Sequence, residues 1–76
     1  MTTTVNGEAY EPRDNETILD LVTAHSGREL SNDGTPADGS RLGIAVAVDG
    51  VVVRRAQWAQ TPVAGQIDIV TAVQGG

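Results

Sequence analysis

The side chains that carry most protein chemistry are scarce in this 76-residue chain. Cysteine is absent, which removes a thiol nucleophile, a metal thiolate site and any disulfide. All five basic residues are arginines, Arg13, Arg28, Arg41, Arg54 and Arg55, so no lysine can accept an isopeptide bond. His25 is the single histidine, with no cysteine beside it and no second histidine at helical spacing; it reads as a residue at the end of a helix, where a charged imidazole favours the negative pole. Asp33 and Asp38 lack the alternating ligands and distal glutamate of a calcium loop. No glycine-rich phosphate cradle with a following lysine is present, so the chain has no ATP site of its own and no bound cofactor is expected. What remains is Gly75-Gly76. Without Cβ atoms such a tail enters channels too narrow for side chains, and the reactive group it delivers is its carboxylate. An α-carboxyl titrates at about 3.3 to 3.7 and is ionised at neutral pH, hence a poor electrophile until it is activated.

Length and charge narrow the setting. A chain this short buries only roughly 60% of its unfolded surface, which disfavours a deep active site and places chemistry at an edge or an end. The net charge of -5, with dispersed arginines, argues against nucleic acid, whose binding needs clustered cations. It suits a basic protein partner, or simply a solubilising surface. Residues 1–7 show neither a basic nor an apolar leader region and no run reaches membrane-spanning length, so a cytoplasmic protein without membrane association is expected.

The elements that must hold the tail follow from local patterns. Residues 2–6 read as a strand, Asn6-Gly7 as a type I′ turn, and residues 8–11 as the returning strand, ended by Pro12. Thr17 with Asp20 three residues on reads as a helix cap. Ile18, Leu21, Val22 and His25 then form one stripe, widened by Leu19, and Gly27 stops the helix. Residues 27–41 are polar and turn-rich, a long surface loop expected to be mobile. Residues 43–48 and 51–54 flank Asp49-Gly50 as a second hairpin. The first of these strands is large on one face (Ile44, Val46, Val48) and small on the other (Ala45, Ala47), as a strand inside a sheet with one closely approached face would be. Residues 54–62 predict one short helical turn, with Trp58 plugging the open end of an aliphatic core. Ala64-Gly65-Gln66 turns into a last strand, residues 67–73. There Ile67, Ile69, Thr71 and Val73 are assigned to the core, while Asp68, Val70 and Ala72 face outward.

The order ββαβββ, with one helix across a mixed sheet of about five strands, is α+β and resembles the β-grasp (ubiquitin-like) fold. That resemblance implies that the first and last strands lie parallel at the sheet centre. Residues 45–58, with Arg55 followed three residues later by Trp58, and residues 67–76, a strand running into terminal Gly-Gly, resemble the ThiS-type sulfur carriers of thiamin biosynthesis. The implied organisation is a β-grasp domain over residues 1–74 with a loop at 27–41, and a flexible tail at 75–76.

The resemblance implies a carrier and substrate, not an enzyme. An E1-like adenylyltransferase (ThiF type) would use ATP to adenylate the Gly76 carboxylate. A sulfur donor would then displace AMP to leave a thiocarboxylate, and a thiazole synthase (ThiG type) would receive the sulfur. Gly75 and Gly76 would enter the partner's active site, while Val70, Ala72 and Gln74 are expected at the docking surface. Three other readings stay open: the small subunit of molybdopterin synthase, which uses the same thiocarboxylate, a ubiquitin-like protein modifier, and a plain interaction module.

Overall fold

The computed structural model describes residues 3–27, 29–37, 39 and 43–71. Strands β1 (Thr4–Val5) and β2 (Glu8–Ala9) are joined through Asn6 and Gly7, whose φ values of 53° and 83° are both positive, as a type I′ turn requires. The strands are shorter than residues 2–6 and 8–11 suggested. Pairing carries on for one residue, with Tyr10 N–H donating to the Thr3 carbonyl at 2.9 Å, before Pro12 withholds a donor.

Helix α1 (Ile18–Ser26) starts where Thr17 closes a capping box with Asp20. Asp20 N–H donates to Thr17 Oγ1 at 3.3 Å, and Thr17 N–H donates to Asp20 Oδ2 at 3.1 Å. It ends on Gly27, at φ 70°. Ile18, Leu21 and Val22 are buried. His25 departs from the expected stripe: it is exposed, because the buried face of this nine-residue helix ends at Val22 and the last turn projects past it.

Strands β3 (Ile44–Val48) and β4 (Val51–Val53) meet at a second positive-φ pair, Asp49 and Gly50. The expected single helical turn is a six-residue 3₁₀ helix, Arg55–Gln60, about two turns long. It drives Trp58 to full burial, with Nε1–H donating to the Val53 carbonyl at 3.1 Å. Strand β5 (Gln66–Thr71) completes a five-stranded sheet in the order β2-β1-β5-β3-β4, in which β1 and β5 are parallel and the other pairs antiparallel. This is the mixed sheet with one helix of a β-grasp fold, with the last strand in the middle of the sheet.

Two expectations change with packing. Within the stretch expected to be a surface loop, the described residues 29–37 fold back on themselves and against the core: Leu30 bridges to Pro36, Ala37 N–H donates to the Glu29 carbonyl at 2.9 Å, and Gly34 and Pro36 are buried. Thr71 is exposed rather than in the core. It stands on the last rung of the β3–β5 ladder, opposite Ile44, beyond the rung where Val46 and Ile69 are both buried. Alternation along the strand continues there, but its cover does not.

The start of α1 is tied to the segment before β5. Ile18 N–H donates to the Thr61 carbonyl at 2.8 Å, and Val63 N–H to the Glu16 carbonyl at 3.0 Å. Glu16 is itself buried, and its carboxylate accepts from Tyr10 Oη–H at 2.6 Å and from Arg13 N–H at 2.8 Å. Both carboxylate oxygens are thereby satisfied, as a buried anion requires.

Candidate functional site

The site is built on β5, the strand that leads to the glycine pair. On one side it pairs with β3 over five residues, Ile67 to Thr71, and on the other with β1. The β-branched residues Ile67, Ile69, Val70 and Thr71 suit this doubly flanked position. Both hairpin turns grip the strand. At its entry, Asp49 N–H donates to the Gln66 carbonyl at 2.7 Å, and Gln66 N–H donates to Asp49 Oδ1 at 2.9 Å. Further along, Asn6 N–H donates to the Ile67 carbonyl at 2.8 Å, and Ile69 N–H donates to Asn6 Oδ1 at 2.7 Å.

Ile67 and Ile69 point into the core, so Asp68 and Val70 belong to the opposite face. Register places Val70 opposite Ala45, and Asp68 opposite Ala47, which in turn lies opposite Val52. The resulting surface is small and apolar at Ala45, Ala47, Val52 and Val70, with the half-buried Asp68 among them. Val52 and Val70 are 72% and 60% exposed. The alanine face of β3 is therefore open, Ala45 being exposed, rather than closely approached from within the chain as the alternation of large and small residues suggested.

Of the residues expected to act, Val70 lies on this outer face. Ala72, Gln74, Gly75 and Gly76 lie outside the described residues. Ala45, Ala47 and Val52 were not singled out for docking from sequence. Their signal was the small-residue face of β3, but only the sheet register brings it beside Val70. Among the described residues, no group of three or more His, Cys, Asp or Glu side chains gathers as a metal site would need. Asp33 instead caps its own turn, accepting from Thr35 N–H at 3.1 Å and from Thr35 Oγ1–H at 2.6 Å. These bonds, the hydroxyl first, hold its carboxyl below the usual aspartate range. No helix among the described residues is long and apolar enough to cross a membrane.

A family model described as the ThiS family matches residues 2–76, which is nearly the whole chain and includes the glycine pair. The chain belongs to the ThiS family. No curated protein matches it. Members of the ThiS family are small sulfur carriers with the ubiquitin-like β-grasp fold rather than catalysts, and they work with E1-like activating enzymes and sulfur-transfer partners. A carrier role agrees with what this chain contains: a central strand paired on both sides, an open small-residue face beside it, and no thiol on any side chain.

Proposed function

We propose that this ThiS-family chain carries sulfur on the carboxyl group of Gly76 for thiazole formation in thiamin biosynthesis. The family match through residue 76 carries the reading. An E1-like enzyme of the ThiF type binds ATP, and the Gly76 carboxylate attacks its α-phosphate, giving an acyl-adenylate and pyrophosphate. A donor delivering sulfur at the oxidation level of sulfide then attacks the carbonyl carbon and expels AMP, leaving the thiocarboxylate. A thiazole synthase of the ThiG type takes the sulfur. The carrier supplies reach and a docking face, while ATP binding and acid–base chemistry belong to its partners. Val70, Ala45, Ala47 and Val52 form the docking centre, with Asp68 supplying charge; Ala72 and Gln74 are assigned to docking from the sequence alone. An interface with a small apolar centre and polar rim suits a partner that must also let go.

Incubating the chain with an E1-like enzyme, ATP and a sulfide source tests this. The expected result is a mass gain equal to one oxygen replaced by sulfur, confined to the C-terminal peptide and abolished by deleting Gly76. No gain with an enzyme shown to activate another carrier overturns the reading. Turnover of the loaded chain by a thiazole synthase supports the thiamin assignment. Co-purification with a molybdopterin synthase large subunit, without thiazole formation, replaces it.

A further inference from the structure

Strand β1 ends before it has supported the whole of β5. Thr4 N–H to the Gly65 carbonyl at 3.0 Å and Asn6 N–H to the Ile67 carbonyl at 2.8 Å are successive rungs of the parallel ladder. The next rung calls for an acceptor facing Ile69 N–H, yet at Asn6 the chain has already left strand geometry for the turn, with φ at 53°. The side chain supplies what the backbone no longer can: Asn6 Oδ1 accepts from Ile69 N–H at 2.7 Å, across 63 positions of sequence. Asparagine meets both demands, since it tolerates the left-handed region and carries an acceptor on a short stem.

Among the described residues this rung is the last on the β1 side of β5, two residues short of the strand end at Thr71. Its counterpart, Asp49 Oδ1 on Gln66 N–H, lies at the other end of the strand. Neither contact is part of the outer face formed by Ala45, Ala47, Val52 and Val70. We infer that Asn6 is a positioning residue for activation of the C-terminus. Its amide oxygen fixes the register of β5 at Ile69, the neighbour of Val70 on the outer face, in the strand whose sequence runs on to Gly76. The inference rests on the carrier reading and adds to it a residue in the first hairpin, remote in sequence from the reacting carboxylate.

Two variants separate the bond from the turn. Asn6→Gly keeps the positive φ and removes the acceptor; Asn6→Asp keeps both. Thr17→Ala, which removes the helix cap, controls for general destabilisation. Each is assayed for Ile69 amide hydrogen exchange and, with an E1-like enzyme that activates the wild-type chain, for ATP–pyrophosphate exchange over a range of carrier concentrations. In Asn6→Gly the Ile69 amide should exchange about fivefold faster, the weight of one net hydrogen bond. Its kcat should fall by about two- to fivefold with KM held, because fewer docked chains hold β5 in the productive register. Asn6→Asp and Thr17→Ala should keep the wild-type kcat. A wild-type kcat in Asn6→Gly, an unchanged Ile69 exchange rate, or an equal loss of kcat in Thr17→Ala overturns the positioning role. Failure of every E1-like enzyme to activate the wild-type chain overturns the carrier reading itself, and the positioning role with it.

Discussion

Gly34 packs directly against Trp58: a Cβ on Gly34 would stand 3.1 Å from the indole Cε3. The same Cβ would lie 2.8 Å from both the Cβ and the carbonyl oxygen of Arg55, and the φ of Gly34 is 83°. The long connection between α1 and β3 is thus keyed to the wall of the core at the point where the buried tryptophan closes it. Ser31 and Thr35 hold the key in shape, through Ser31 N–H to the Thr35 carbonyl at 2.7 Å and Gly34 N–H to the Ser31 carbonyl at 2.9 Å.

Replacing Gly34 by alanine should therefore destabilise the protein by about 1–3 kcal/mol through overpacking, with backbone strain added. For a domain of this size that lowers Tm by about 4–8 °C per kcal/mol. Gly39→Ala is the control: it has a φ of 80° but nothing within 4 Å of the added Cβ, so it carries the strain alone. Thermal melts of the two variants check the difference, and equal losses would show that the contact with Arg55 and Trp58 carries no weight.

The Tyr10–Glu16 bond sets an alkaline limit to stability. Its hydrogen bond to Glu16, then burial, then the Glu16 charge push the Tyr10 hydroxyl above its ordinary pKa. A folded value above the unfolded one means that the contribution is fully present below the unfolded tyrosine pKa of about 10 and is lost as pH rises through the folded value. With no lysine, no cysteine and one tyrosine in the chain, that limb belongs to Tyr10. Tyr10→Phe should cost about 1–3 kcal/mol at neutral pH, since it strips a partner from a buried carboxylate, and should flatten the loss above pH ~10. Urea unfolding from pH 7 to 11 measures both, and an unchanged alkaline limb in the variant would remove Tyr10 as its source. The Arg13–Glu16 contact, at 4.0 Å with a largely exposed guanidinium, adds little.

The outer face can be weakened without disturbing the core. Val52→Thr and Val70→Thr together keep two β-branched residues in their strands and should change stability by no more than about 0.5 kcal/mol, as exposed substitutions do. If this face docks the activating enzyme, the double variant should raise KM by roughly fivefold, the equivalent of about 1 kcal/mol of interface, and leave kcat unaltered. An unchanged KM in steady-state activation assays would move the docking surface elsewhere.

Much of the fold was legible because its signals are local. Asn6-Gly7 and Asp49-Gly50 announce turns that need two positive φ values, and both turns form with the predicted geometry. Thr17, Asp20 and Gly27 bracket the helix by capping chemistry that acts within one turn. Trp58 was readable as core because nothing else in an aliphatic chain covers so much area. Where the reading failed, the deciding neighbour was distant. His25 fits the helical stripe, but among the described residues no element covers the last turn of α1 closely enough to bury it, and Thr71 fits the strand alternation but is exposed. Polar composition made residues 27–41 look like loose loop, and could not reveal that Gly34 meets Trp58.

By itself, then, the sequence determined the turns, the helix ends, the apolar strand that precedes Gly75-Gly76, and the absence of side chains able to carry sulfur or accept an isopeptide bond. These depend on backbone sterics, capping and residue inventory, which act over a few positions or over none. The family resemblance already implied that β1 and β5 lie parallel at the sheet centre; only the tertiary structure decided that β3 flanks β5 on its other side, that Ala45, Ala47 and Val52 share a face with Val70, and that Asn6 reaches Ile69. Those relations join residues far apart in the chain, and they exist only once the helix and sheet have buried their apolar faces against each other and fixed the register.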